Sequence, residues 1–315
     1  MKAMVIDKFG GPGQLRLAEC PVPEPADDEV LIELKYTSVN PVDWKIREGY
    51  YKESFPHAFP LIPGWDAAGI VRKVGGNVTA YKGGEKVYAY ARKPAVQWGT
   101  YAEFVTVGAD AVAPMPSNIT FGQAAAIPLT ALTAWQALDY ARLQPGQTIL
   151  VQGGAGGVGG MAVQLARHAG AKVYTTASAR NHEYVRRLGA HHPIDYTALN
   201  VVDALRKLEP SGVDVVLDTI GGPVLRESFR ALKQGGIMVS VVDQPDPAGA
   251  KVEGVRAGFV FVSPNGPQLR EITKLIEHGE LKPPRIEEMR LEQAPTAQER
   301  SRGRHIAGKI VLKIH

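Results

Sequence analysis

The stretch from Thr148 to Ala177 constrains this chain more than any other. An apolar run, Thr148–Gln152, leads into Gly153-Gly154-Ala155-Gly156-Gly157-Val158-Gly159, and a second apolar run, Lys172–Ala177, follows. Between the runs, Val158, Met161, Ala162, Leu165, Ala166 and Ala169 recur at i, i+3, i+4, i+7, i+8 and i+11, one apolar stripe on a helix. The pattern is strand, glycine loop, helix, strand. Gly154, Gly156 and Gly159 fit G-x-G-x-x-G, which permits a tight turn and close approach of the backbone to a pyrophosphate. The N–H groups that open the helix then hold the negative charge. A glycine pattern alone says little, but between a strand and a helix it predicts a dinucleotide site. Gly154, Ala155, Gly156, Gly157 and Val158 are the resulting candidates for cofactor contact.

The second strand ends in Thr175-Thr176-Ala177-Ser178-Ala179-Arg180. A site for NADH needs a carboxylate here, about 20 residues past the loop, to accept from the ribose 2′-hydroxyl. The segment has none. Ser178 can donate, and Arg180 can give charge-assisted bonds to a 2′-phosphate, so the expected cofactor is NADPH.

The alternation continues downstream, with a helix over Asn181–Leu188, a strand over Val213–Asp218, a helix over Val224–Leu232 and a strand over Ile237–Val242. The runs VDVVLD and GGIMVSVV are nearly continuously apolar, as in strands covered on both faces of a parallel sheet. This predicts a doubly wound α/β domain. Residues 1–120 read differently. Short strands such as Glu29–Leu34, Ala67–Val74, Lys86–Tyr90 and Tyr101–Val107 are punctuated by glycine turns, which predicts a β-barrel or sandwich lobe. Residues 121–140 read as helix. After about residue 260 the alternation gives way to a helix near Gln268–Glu277 and a last strand, Lys309–Ile314.

Composition narrows the function. The net charge of +4 comes from dispersed basic residues without a Lys/Arg block, so a nucleic-acid partner is not expected. Cys20 is the single cysteine, which rules out an internal disulfide and a cysteine-based zinc site. No run approaches the roughly 18 apolar residues of a membrane span. Asp7 interrupts the N-terminal run where a signal peptide would stay apolar. The expected location is the cytoplasm.

Several further segments carry a family likeness. They are Asn40-Pro41-Val42-Asp43 with Arg47 and Gly49, Pro63-Gly64-Trp65-Asp66-Ala67-Ala68-Gly69, Gly99-Thr100-Tyr101-Ala102-Glu103-Phe104, Ile127–Trp135, the glycine loop, and Gly303-Arg304-His305-Ile306-Ala307-Gly308-Lys309-Ile310-Val311. With them the chain resembles a zinc-independent medium-chain dehydrogenase/reductase of the quinone oxidoreductase and enoyl reductase type. The resemblance implies a GroES-like catalytic lobe from residues 1–121 and 263–315, with a Rossmann NADPH-binding domain, 122–262, inserted between them. It implies no metal. Zinc alcohol dehydrogenases carry Gly-His-Glu where this chain has Gly64-Trp65-Asp66, and a cysteine near the place of Asn40. Without imidazole and thiolates a catalytic zinc loses its usual donors.

The likeness also implies roles for single residues. Tyr51 matches a tyrosine that donates a proton in related enoyl-thioester reductases, with Tyr50 its neighbour. Asn40 would hold a ribose hydroxyl or a substrate oxygen, and Lys45 would orient that oxygen or touch ribose. Thr130 would lie near the nicotinamide. Ser178, Arg180 and Tyr196 would frame the 2′-phosphate and adenine. Ile220, Val241, Phe261 and Val262 would face the cofactor from strand ends, with Lys309 reaching it from the returning tail. The implied activity is hydride transfer from NADPH to a quinone or to the C=C bond of an α,β-unsaturated carbonyl. Alternatives are an enoyl-thioester reductase and a non-enzymatic NADPH-binding regulatory protein. A homodimer acting on an apolar small molecule is expected.

Overall fold

A computed structural model describes residues 1–303 and 306–314, apart from the side chain of Val252. Arg304 and His305 of the C-terminal motif lie outside the described residues. The chain divides into two units. The first comprises Met1–Leu129, Ser263–Gly279 and Pro283–His315; the second comprises Thr130–Val262 and Glu280–Lys282.

In chain order the strands that matter are β1 (Glu29–Ser38), β2 (Asp66–Val74), β3 (Lys86–Tyr90), β4 (Phe104–Gly108), β5 (Val112–Pro114), β6 (Thr148–Val151), β7 (Lys172–Thr176), β8 (His192–Ile194), β9 (Val213–Asp218), β10 (Leu232–Ser240), β11 (Arg256–Phe259), β12 (Ile286–Arg290) and β13 (Lys309–Lys313). In the first unit they form a sheet in the order β12-β13-β1-β2-β3-β5, with β4 also pairing β1. Val30, Ile32 and Leu34 alternate along β1 and pack with Val71, Val87 and Val105 in one buried core. Helix α1 (Pro41–Arg47) follows β1 directly. The Asp43 carboxylate accepts the Asn40 N–H at 2.8 Å, and Pro41 fills the first helical position where no N–H is needed.

The helical reading of 121–140 is corrected to two helices, α2 (Phe121–Ala125) and α3 (Pro128–Ala141). Pro128 forces the break, because the residue before a proline is pushed out of the helical region. The expected strand at Tyr101 begins later, at Phe104. Tyr101 and Ala102 instead meet the N-terminal strand through Met4 N–H to Tyr101 O (2.8 Å) and a single bridge to Ala3.

The second unit is a parallel sheet in the order β8-β7-β6-β9-β10-β11, the doubly wound arrangement. Its crossovers include α4 (Gly157–His168), α5 (His182–Arg187), α6 (Val201–Leu208) and α7 (Gly222–Ser228). The helix expected to run to Leu232 stops at Ser228 and tightens into a 3₁₀ turn, Phe229–Ala231. Leu150, Tyr174, Val213, Val216 and Met238 form the core beneath α6 and α7, as the apolar runs require. Among the described residues no helix is long and apolar enough to cross a membrane.

Candidate functional site

The glycine loop occupies the carboxyl end of β6. Gly153 has φ +68°, a conformation open to glycine. Its N–H donates to Thr176 Oγ1 at 2.8 Å, and the Gly154 N–H donates to Thr176 O at 3.0 Å. The loop is thereby tied to the end of β7. The Thr176 hydroxyl donates onward to Gln152 Oε1 at 2.8 Å. Two glycines have no room for a side chain: a Cβ on Gly154 would sit 2.0 Å from Thr175 Oγ1, and one on Gly159 would sit 2.2 Å from Gly153 O. Gly156 is different, since its Cβ would meet nothing closer than 3.4 Å.

No side chain caps α4, whose N-cap is Gly156. Gly160 is the residue whose N–H returns to Gly156 O (2.9 Å), so the amides of Gly157 and Val158 open the helix without intrahelical acceptors. An uncapped helix start with the positive end of its dipole and no obstructing Cβ fits a pyrophosphate.

The neighbouring strand ends are bonded to one another. The Thr219 hydroxyl donates to Gln152 O (2.8 Å), the Val241 N–H donates to Asp218 O (3.1 Å), and the buried Asp218 carboxylate accepts from Ile220 N–H (3.1 Å) and Ser240 Oγ (2.7 Å). Gly153, Ile220 and Val241 therefore share one edge of the sheet, the edge at which open parallel sheets hold ligands. Phe261 and Val262 follow β11, the first exposed and the second buried. Thr130 is buried in the first turn of α3. Beyond β7, Ser178 accepts from Asn181 Nδ2 at 3.2 Å, Arg180 stands exposed in the turn Ala179–Asn181, and Tyr196 is exposed in the turn after β8.

In the first unit, two residues that the sequence assigned to ligands meet each other. Lys309 Nζ donates to Asn40 Oδ1 at 2.5 Å and to Val39 O at 2.7 Å. Asn40 Nδ2 donates to Asp66 Oδ2 at 2.7 Å, where Ser38 Oγ also donates at 2.5 Å. Asp66 Oδ1 accepts the Leu129 N–H at 2.7 Å. Beside them, Asp43 Oδ2 accepts from Tyr101 Oη at 3.0 Å, while Asp43 Oδ1 has no hydrogen-bond partner. All of these side chains are buried. Burial pushes the Asp43 carboxyl up to about 7 against the pull of its bonds and of Lys309, raises Asp66, and lowers Lys309.

The structure separates the two adjacent tyrosines. Tyr50 is 64% exposed, its ring edge-on to Trp44. Tyr51 lines a small pocket with Phe9, Ile46, Lys52, Phe55, His57, Leu61 and Val96, its ring 6.0 Å from that of Phe55. Phe55 continues edge-on to Trp65, and Trp65 to Tyr90. The Arg92 guanidinium lies over Phe55 at 6.0 Å. Lys45 is half-buried, with Nζ 5.9 Å from the Trp44 ring centre.

Sequence reasoning missed the thread from Lys309 through Asn40 to Asp66, and the role of Thr175 and Thr176 in shaping the glycine loop. The two threonines close β7 in a visible run, but nothing local marks them as partners of residues 24 positions earlier. Among the described residues no three His, Cys, Asp or Glu side chains gather as a metal site.

Two family models match the chain: an alcohol dehydrogenase GroES-like domain over residues 26–117 and a zinc-binding dehydrogenase over residues 188–312. The chain is 39% identical over 290 residues to a chloroplastic NADPH-dependent alkenal/one oxidoreductase of Arabidopsis thaliana, covering 90% of this chain and 71% of that protein. The structure of the quinone oxidoreductase from Coxiella burnetii superposes with a TM-score of 0.90 at 34% identity, covering 100% and 99% of the two chains. That of the Escherichia coli quinone oxidoreductase complexed with NADPH superposes at 0.89 with 28% identity and full coverage of both. With this fold, this glycine loop and these relatives, the chain belongs to the medium-chain dehydrogenase/reductase superfamily, in the group of the quinone and alkenal/one oxidoreductases.

Proposed function

We propose that this protein is an NADPH-dependent reductase of quinones or of the C=C bond of α,β-unsaturated carbonyls. One observation carries the reading: the uncapped, amide-lined start of α4 stands next to a strand end that offers Ser178 and Arg180 and no carboxylate. The similarity to an alkenal/one oxidoreductase and to a quinone oxidoreductase crystallised with NADPH supports it. On this reading residues 122–262 hold the cofactor and residues 1–121 and 263–315 hold the acceptor. The reading extends to a homodimer in the cytoplasm, whose assembly sedimentation would check.

NADPH, when bound, supplies the hydride. The amides of Gly157 and Val158 hold the pyrophosphate, Arg180 pairs with the 2′-phosphate, and Ile220, Val241 and Phe261 give apolar cover. The loops around Tyr50–Phe59 and Arg92–Trp98 take the apolar acceptor. The Tyr51 hydroxyl donates a proton to the reduced product, and Lys45 orients its oxygen. Reduction of such an acceptor needs donors for a developing enolate oxygen, which hydrogen bonds can provide. Loss of absorbance at 340 nm against quinones, short enones and an enoyl thioester, with and without a chelator, tests the reading. No turnover of any acceptor by NADPH-saturated protein overturns it.

Two substitutions test single roles. Arg180→Ala will raise the KM for NADPH about tenfold to a hundredfold, the value of one charge-assisted bond, and will leave the KM for NADH unchanged. Equal KM values for the two cofactors in the wild type would remove the 2′-phosphate role. Tyr51→Phe will lower kcat on enones roughly a hundredfold near neutral pH, within the range of a general acid, with little change in the KM for NADPH. Full activity in that variant hands proton delivery to solvent.

A further inference from the structure

We propose that Asp66 is a positioning residue for hydride transfer, its one buried carboxylate fixing both the Asn40 carboxamide and the first turn of α3. The inference rests on the functional reading above, together with the roles that the family resemblance implies for Asn40, at a ribose hydroxyl or a substrate oxygen, and for Thr130, near the nicotinamide.

The carboxylate uses its two oxygens on two different elements. Oδ2 receives Asn40 Nδ2 at 2.7 Å and Ser38 Oγ at 2.5 Å, both from the end of β1 and the residues after it. Oδ1 receives the Leu129 N–H at 2.7 Å. Pro128, the first residue of α3, has no N–H, so Leu129 is the first donor the helix offers. Asp66 thus caps α3 from another strand, with its charge at the favourable end of the dipole. Thr130 follows Leu129 through one planar peptide, so a shift of Leu129 carries Thr130 with it.

The orientation of Asn40 is set by charge on both sides. Its oxygen faces the Lys309 ammonium at 2.5 Å and its nitrogen faces the carboxylate. A flipped amide would put a donor on the ammonium and an acceptor on the carboxylate. In the observed setting one N–H of Nδ2 stays outside the network, since the amide nitrogen has two. With Asp66 at 0% and Asn40 at 1% exposure, water cannot replace either bond.

The experiment compares wild type, Asp66→Asn, Lys309→Met and the double variant Asp66→Asn/Lys309→Met. Melting temperature, Kd for NADPH from nicotinamide fluorescence, kcat and the primary isotope effect with 4-deuterated NADPH are measured for each. Asp66→Asn will lower kcat about tenfold to a hundredfold and change the isotope effect, while Kd stays within about threefold because the glycine loop holds the phosphates. The emission of bound NADPH will shift. Relative to Lys309→Met, which removes the Asn40 Oδ1 partner but keeps the carboxylate, the double variant will gain melting temperature and lose kcat, a split that a purely structural role does not produce.

A folded Asp66→Asn enzyme with kcat within about twofold of wild type overturns the proposal, as does a double variant whose kcat rises together with its melting temperature relative to Lys309→Met. If Asp66→Asn does not fold, the double variant decides by the same measurements. Wild-type protein that binds NADPH and reduces no acceptor overturns the functional reading instead. The emission of bound NADPH then decides for Asp66, and an unchanged spectrum in the folded variants overturns the positioning role.

Discussion

A Gly159→Val variant will fold less stably and will bind NADPH at least about a hundredfold more weakly, since two amide contacts to phosphate, each worth about 1.5–3 kcal/mol, go together. The first added carbon would lie 2.2 Å from Gly153 O and 2.7 Å from Gly153 C. Both are backbone atoms and cannot rotate away. The nearest escape is for α4 to move off Gly153–Gly154, which strains the bonds tying that turn to Thr176. The branches of valine enlarge the displacement. Gly156→Ala is the informative partner, because its Cβ meets no protein atom closer than 3.4 Å. That variant will keep the wild-type melting temperature while its methyl group crowds the space proposed for the phosphates. Fluorescence titration with NADPH and a thermal melt check both. A Gly159→Val protein that binds NADPH within about threefold of wild type removes the loop from cofactor binding.

Lys309→Met will destabilise the protein by about 3–5 kcal/mol, the usual cost of leaving a buried charge without its partner. Lys309 is 6% exposed and is the cation facing Asp43 and Asp66. The sign of the pH dependence follows from Asp43. Burial holds its folded pKa at about 7, above the value of about 3.9 for an unfolded aspartate. Between those values the native state keeps a proton that the unfolded state gives up, so the group's contribution to stability is lost as pH rises from about 4 through about 7. Without Lys309 both carboxylates rise further. The deficit of the variant will therefore be larger at pH 8 than at pH 5. Urea denaturation at the two pH values measures it, and an equal deficit at both would show that the ammonium does not hold these carboxylates ionised.

The sequence alone determined much of this protein. The strands Lys86–Tyr90 and Val213–Asp218 fall where their apolar runs place them, because a short run bounded by turns has one way to be buried. The glycine loop was legible for the same local reason: strand, glycines and helix stand next to one another in the chain. The segment 121–140 is helical as its spacing predicts, but the break before Pro128 was not read, because apolar residues at loose helical spacing run on both sides of it. Only the family resemblance separates Tyr51 from Tyr50 in the sequence, whereas in the fold Tyr50 packs on Trp44 and Tyr51 on Phe55.

The pairings in the deepest part of the first unit could not be read. Asn40 and Lys309 were each assigned to ligands, yet in the fold they bond each other across 269 positions of sequence, and Asn40 bonds Asp66 across 26. No pattern of local propensity encodes such a pairing. It arises because β13 returns to lie against β1 and brings an ammonium into a region where water is excluded. There a charge must find its partners within the protein, and which partners it finds is decided by how the strands come together.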